Sequence, residues 1–233
     1  MYLVINYWRD SGNCNPVNLN SCFTKIPEGW YYRGIGGKTV SREFFNQVAE
    51  NWDERVDHDN RKIRFAINKL PVHERPDILD VGTGTGVILP LLEEYYGGGC
   101  QITAVDFAEN MLEIAKKKYH HYQNIQFIRA DIYKYQFNQC FDLIITYSVF
   151  PHLGDKVTIL ERFYDLLKDS GRLLIFHSQS REEINQLHHN SEQDVVRDDL
   201  PPIGQVIDWA ERIGYKQVES IDNDKMYLLI LRK

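Results

Sequence analysis

The stretch Asp77-Ile78-Leu79-Asp80-Val81-Gly82-Thr83-Gly84-Thr85-Gly86 decides the fold. Its apolar residues read as a buried strand that ends on an acid and opens into glycines at every second position. The apolar run from Val87 to Leu92 follows at once and reads as the start of a helix. Strand, glycine-rich turn and helix make the first unit of an open α/β sheet. Glycine tolerates positive φ and lets backbone approach a ligand with no Cβ between them. A helix start adds unpaired N–H groups. A dinucleotide fingerprint needs G-x-G-x-x-G. Here the spacing is G-x-G-x-G, with Val87 where that pattern wants glycine, which speaks against a NAD-dependent oxidoreductase.

Downstream, the pattern repeats. Gln101 to Val105 reads as a strand finishing on Asp106, 20 residues beyond Gly86, where an α/β nucleotide site places a carboxylate for ribose hydroxyls. A helix over Glu109–Tyr119 and strands over Ile125–Arg129 and Phe141–Thr146 follow. Asp155 can cap a helix running to Lys168, and Asp169-Ser170-Gly171 reads as a turn into a strand over Arg172–Phe176. Ser180 and Glu183 form a capping box for the next helix. The last helix, Gln205–Ile213, is closed by Gly214, and two strands joined at Asp222-Asn223-Asp224 finish the chain.

Upstream, Ser41 is placed to cap a helix over Arg42–Arg55 on which Phe44, Phe45, Val48 and Trp52 share one face. A second helix spans Asn60–Leu70. Gly34-Ile35-Gly36-Gly37-Lys38 lacks the full P-loop spacing and reads as a hinge. The chain thus divides into an N-terminal extension over 1–40, read as flexible, and one domain over 41–233. Within the domain, 41–70 is a helical lid and 178–202 a lid-like insertion.

With Asp80 two residues before Gly82, the glycine stretch resembles motif I of the class I S-adenosylmethionine-dependent methyltransferases. Asp106, Asp131-Ile132 and Phe141-Asp142-Leu143-Ile144 resemble their motifs II, III and IV, in order. The helix with Phe44, Phe45 and Trp52 resembles that of small-molecule methyltransferases, including those of quinone biosynthesis. The resemblance implies an α/β, Rossmann-like fold: a seven-stranded, mostly parallel sheet with a C-terminal antiparallel hairpin and helices on both faces. It implies S-adenosyl-L-methionine as cofactor. Asp80, Gly82, Thr83, Gly84 and Gly86 would face its methionine part, and Asp106 its ribose. Ala130, Asp131 and Ile132 would meet its adenine, and Phe107, Met111 and Thr146 would complete the contacts. The family often has Pro-Gly-Gly before strand 5, where this chain has Asp169-Ser170-Gly171. The Asn/Asp-Pro-Pro-Tyr motif of nucleobase and amide N-methyltransferases is replaced by Tyr147-Ser148-Val149-Phe150, so a small molecule with an oxygen, sulfur or carbon acceptor is favoured. A non-catalytic regulatory or assembly protein that binds the same cofactor is the alternative.

His152 follows strand 4 and His177 ends strand 5, so both fall at the ligand edge of such a sheet. Three readings stand. His152, His177 and His188, with Asp199 nearby, are candidate ligands of a divalent metal. Without metal, His152 or His177 is a candidate general base, with Tyr147 beside them as a third catalytic candidate. In the third reading they hydrogen-bond the backbone. Arg181 is a candidate partner for an acceptor carboxylate or phosphate.

The net charge is −6 and no long basic block is present, so a nucleic-acid backbone is not an expected partner. No apolar run approaches a membrane span and no signal-peptide pattern opens the chain. Four cysteines without a C-x-x-C pair read as small core residues of a reducing compartment. These features point to a soluble, cytoplasmic protein with a small-molecule substrate; oligomeric state is left open.

Overall fold

The computed structural model describes residues 42–190 and 199–233. The readings made for residues 1–41, including the Ser41 cap and the glycine-rich hinge, lie outside the described residues, as do those for 191–198.

Seven strands form one sheet: β1 (Asp77–Val81), β2 (Gln101–Asp106), β3 (Ile125–Arg129), β4 (Phe141–Tyr147), β5 (Leu167–His177), β6 (Lys216–Asp222) and β7 (Tyr227–Arg232). Their order is β3-β2-β1-β4-β5-β7-β6. β1 to β5 pair in parallel, and β7 runs antiparallel to both β5 and β6. The sheet is thus mostly parallel with a C-terminal antiparallel hairpin, as expected from the sequence.

Eight α-helices surround it among the described residues: α1 (Arg42–Val48), α2 (Trp52–Arg55), α3 (Asn60–Ile67), α4 (Leu89–Tyr95), α5 (Glu109–Tyr119), α6 (Lys156–Leu166), α7 (Arg181–Asn190) and α8 (Ile203–Ile213). Strand side chains alternate between faces with period two, which splits the core in two. On one face, Leu79, Ile144 and Leu173 pack with Phe163 of α6 and Val206 and Ala210 of α8. On the other, Ile78, Leu143 and Leu174 pack with Ile63 and Ile67 of α3 and Leu89 and Leu92 of α4. β6, by contrast, is largely exposed and closes one edge.

The local signals work as chemistry dictates. Asp59 caps α3 by accepting from the Arg61 and Lys62 amides, and Asp155 caps α6 by accepting from the Thr158 amide. The Ser180 hydroxyl accepts from the Glu183 amide at 3.2 Å while Glu183 accepts from the Ser180 amide at 2.9 Å, a reciprocal box. Asn223 turns the hairpin by accepting from the Lys225 and Met226 amides.

Three expectations need correction. The helix over 42–55 is broken: a 3₁₀ turn over Ala49–Asn51 separates α1 from α2, and Asn51 leaves helical geometry at φ −107°. The break turns Trp52 back edge-on to Phe45, with ring centroids 5.7 Å apart. The turn expected at Asp169-Ser170-Gly171 lies inside β5. Phe141 pairs with Leu167 and Leu143 already with Arg172, so the intervening residues bulge from the ladder, with Ser170 at φ 65°. Gly171 is required there because a Cβ would lie 2.9 Å from the Lys168 carbonyl oxygen. The cysteines also differ: Cys100 is a fully buried core thiol, whereas Cys140 is only half-buried. Burial, with Glu93 beside it, pushes the Cys100 thiol up to about 12. No described helix is long and apolar enough to cross a membrane.

Phe163 joins α6 to the sheet with no solvent exposure. Phe163→Ala is expected to destabilise the protein by about 3–5 kcal/mol through lost transfer energy and a residual cavity. Urea unfolding followed by circular dichroism checks this; a loss below about 1 kcal/mol would mean the layer contact is misjudged.

Candidate active site

β1, β2, β4 and β5 all end on one edge of the sheet. The chain reverses its order between β1 and β4, and such a switch point opens a crevice beyond the strand ends. A cavity of about 710 Å³ lies there, within the range of small-molecule sites.

The glycine loop forms its floor. Gly82, Gly84 and Gly86 have φ of 70°, 55° and 85°. The amides of Gly82 and Thr83 donate to the Val105 carbonyl at 2.8 and 3.0 Å, which seals β1 against β2. A Cβ on Gly82 would stand 2.4 Å from Val149 Cγ2, and one on Gly86 2.7 Å from the Tyr119 ring. Gly84 differs: nothing lies closer than 4.0 Å to its Cβ position, so its freedom serves the cavity.

Two acids stand beneath the loop. Asp106 Oδ2 accepts the Gly84 amide and Oδ1 the Ala108 amide, both at 2.8 Å. Burial raises its carboxyl to about 6, against the pull of those amides. Asp80 is 1% exposed, and its Oδ2 is buried without a hydrogen-bond partner. Burial raises its carboxyl to about 7, with the like charge of Asp106 adding to the effect. Phe107, Met111, Ala130, Asp131 and Ile132 continue the wall from β2 and β3. Asp131 orders its own loop by accepting the Tyr133 amide at 3.0 Å.

The N-terminal segment covers this floor. The Asp53 carboxylate accepts the Thr85 hydroxyl at 2.5 Å and pairs with Lys118 of α5. His58 Nδ1 and the Tyr147 hydroxyl share a hydrogen bond of 3.0 Å, and Tyr147 is joined to the Ser178 hydroxyl at 3.1 Å. Lys62 donates to the Ser178 and Lys225 carbonyls at 2.7 Å. Phe45 meets Phe107 and His152 edge-on at 5.8 and 5.7 Å, which brings α1 against the far wall.

His152, His177 and His188 converge on that far wall. The rings of His152 and His188 are 4.9 Å apart. His152 Nδ1 and His177 Nε2 are buried without partners, which argues against simple backbone hydrogen bonding at those atoms. Burial drives both imidazoles down to about 3, and His188 lowers them further.

The structure brings most of the expected site residues to one cavity and leaves some out. Thr146 is fully buried and its hydroxyl donates to the Leu174 carbonyl at 3.3 Å, so Tyr147 rather than Thr146 presents its side chain. Gly86 packs on Tyr119 and is not on the cavity wall. Arg181 is held by Asp222 and Glu182, away from the cavity. Asp199 pairs with His189 at 2.8 Å. Among the described residues no group of three His, Cys, Asp or Glu side chains is disposed to hold a metal ion, His152, His177 and His188 included. His58 was missed: in the sequence it is one polar residue between Asp57 and Asp59, and only the fold brings it to Tyr147.

A family model described as "Methyltransferase domain" matches residues 73–225. A malonyl-[acyl-carrier protein] O-methyltransferase of Bacillus cytotoxicus is 29% identical over 160 residues, covering 67% of this chain and 55% of that protein. A demethylmenaquinone methyltransferase of Staphylococcus epidermidis is 28% identical over 145 residues, covering 58% of this chain and 60% of its own. The chain thus spans little more than half the length of these curated relatives. Among solved structures, an S-adenosylmethionine-dependent methyltransferase from Aquifex aeolicus matches with a TM-score of 0.63 at 17% identity, covering 80% of this chain and 97% of that one. The N-methyltransferase NodS from Bradyrhizobium japonicum, solved with S-adenosyl-L-homocysteine, matches with a TM-score of 0.62 at 17% identity, covering 82% and 97%. At these identities the solved structures establish the fold alone.

Gly82→Ala is expected to destabilise the protein by about 2–4 kcal/mol, combining a left-handed φ with a clash on Val149. Adding Val149→Ala should recover the clash and leave the φ cost of about 1–2 kcal/mol. Thermal unfolding of the two variants checks this; no recovery would mean that Val149 is not what confines Gly82.

Proposed function

Because the chain belongs to the methyltransferase-domain family, we propose that it is an S-adenosylmethionine-dependent methyltransferase that modifies a small molecule. The observation that carries the reading is the pairing of the open Gly84 position with Asp106, beside the buried Asp80 carboxyl, at the floor of the cavity.

The residues present fit this cofactor. Asp80 has a buried oxygen without a partner, suited to the cationic amino-acid end of the cofactor. A carboxylate oxygen accepts more than one hydrogen bond, so Asp106 can serve ribose hydroxyls while holding the loop amides. Asp131 and the backbone at Ile132 stand where an adenine would be read. Bound there, the cofactor supplies an activated methyl group. The protein's own work is to align the acceptor, exclude water and take up a proton where one is released. The lid residues Phe45 and Trp52 exclude water. Tyr147, His152 and His177 are the groups we assign to the acceptor side. That the curated relatives it resembles are named as methyltransferases favours catalysis over mere cofactor binding. The named relatives act on a carrier-linked acid and on a quinone precursor. We place this chain's acceptor in the same broad range of small molecules, with oxygen, sulfur or carbon as the acceptor atom. The net charge of −6 supports an acceptor other than nucleic acid.

Two measurements test the reading. Asp106→Ala should weaken binding of S-adenosylhomocysteine at least about tenfold by calorimetry, since a charged hydrogen-bond acceptor is lost; unchanged affinity would remove the ribose assignment. Asp80, with its carboxyl near 7, is partly protonated in the free protein at neutral pH. Approach of the cofactor's ammonium group favours the ionised form, so the proton must leave on binding. Calorimetry at neutral pH in buffers of different ionisation enthalpy should show net proton release, and Asp80→Asn should abolish it. Equal heats in all buffers would contradict the placement of Asp80.

A further inference from the structure

We propose that Asp53 is a positioning residue for the cofactor: through Thr85 it fastens the segment over 42–56 to the glycine loop, so that bound cofactor leaves only when this fastening opens. The inference rests on the methyltransferase reading and deepens it.

Asp53 is not among the residues that line the cavity, so it acts through residues that are. Thr85 is one of them, buried in the glycine loop next to the open Gly84 position. Its hydroxyl donates to the Asp53 carboxylate at 2.5 Å. A charged acceptor makes this bond stronger than one between neutral groups. On the other side, Trp52 directly precedes Asp53 and lines the same cavity, as do Arg42, Phe45 and Val56. Asp53 thus joins the loop assigned to the cofactor to the segment that shares its cavity. The carboxylate also pairs with Lys118 of α5, but both side chains are partly exposed to water, and such pairs contribute little. Thr85 is the partner that carries the fastening.

The segment has little else to hold it. α2 buries none of its residues. Val48 and Ala49 enter a small cluster with Ala108 and Met111, apart from the two main cores. Asn46 and Asn110 exchange two exposed hydrogen bonds of 2.9 Å. A unit with few buried contacts and exposed hydrogen bonds opens at a lower free energy than the fold around it. The chain also marks where such opening stops. Val56 is extended, at φ −116° and ψ 116°, and His58 is already bonded to Tyr147. Beyond them, α3 buries Ile63, Ala66 and Ile67 in a main core. The unit that opens is therefore 42–56, and α3 stays with the sheet.

The test uses the full chain with S-adenosylhomocysteine. Binding is read first by calorimetry; absent heat there would remove the methyltransferase reading and this inference with it. The dissociation rate is then measured by surface plasmon resonance on the tethered protein. Asp53→Ala and Thr85→Val should each raise it about tenfold, a change of about 1.4 kcal/mol. The double variant should stay within about threefold of either single one, because both remove the same bond. Lys118→Gln should change the rate by less than about threefold. Hydrogen exchange of the loaded protein supplies a signature that a general loss of stability would not give. Asp53→Ala should speed exchange over 42–56 and leave 60–67 as in the wild type. The inference is overturned if both single variants leave the dissociation rate within about twofold, if their effects multiply in the double variant, or if exchange rises equally in both stretches. Asp53→Ala and Thr85→Val are read independently, so either one decides the matter if the other fails to fold.

Discussion

The hydrogen bond from the Gly84 amide to the Asp106 carboxylate is the constraint on which the site depends. It joins the glycine loop after β1 to the end of β2, while the other oxygen of the same carboxylate holds the Ala108 amide at the start of α5. One buried side chain thereby fixes two backbone segments that border the cavity. The loop can take this path only because Gly82, Gly84 and Gly86 accept left-handed φ. Asp106 must stay out of water to do so, and its raised protonation range is the cost of that position. Asp80 shares the same dry environment, and burial together with the like charge of Asp106 raises its carboxyl as well.

The cavity is divided by chemistry as well as by shape. The floor and the β2–β3 side carry carboxylates, where a cationic and hydroxyl-rich cofactor is favoured. The far wall carries the imidazoles of His152, His177 and His188. The N-terminal helical segment joins the two sides. Asp53 ties it to Thr85 in the glycine loop, and His58 ties it to Tyr147 at the end of β4. Phe45 touches both Phe107, just after β2, and His152, beyond the end of β4. A change in one half of the cavity is therefore felt by the other through packed rings rather than through a single hydrogen bond.

Much of this was legible in the sequence because the signals were local. The run Asp77–Gly86, the acids after β2 and β3, the Asp155 cap and the Ser180–Glu183 box each act within a few residues, and each element formed close to where its pattern put it. What failed depended on distant partners. Nothing near Thr146 reveals that its hydroxyl is spent on Leu174 in the neighbouring strand. Nothing near Asp169-Ser170-Gly171 reveals that β4 continues alongside and absorbs the turn as a bulge. Histidine spacing suggested a metal centre, but the described side chains do not assemble one. His58 carried no periodic or motif signal, and its link to Tyr147 spans 89 residues.

The most direct test is a crystal structure of the chain with S-adenosylhomocysteine. The account predicts the amino-acid end beside Asp80, the ribose on Asp106, the adenine at Asp131-Ile132, and the sulfur facing the side of the cavity that carries Tyr147, His152 and His177. A ligand bound elsewhere, or one in this cavity with its sulfur turned away from those residues, would contradict it.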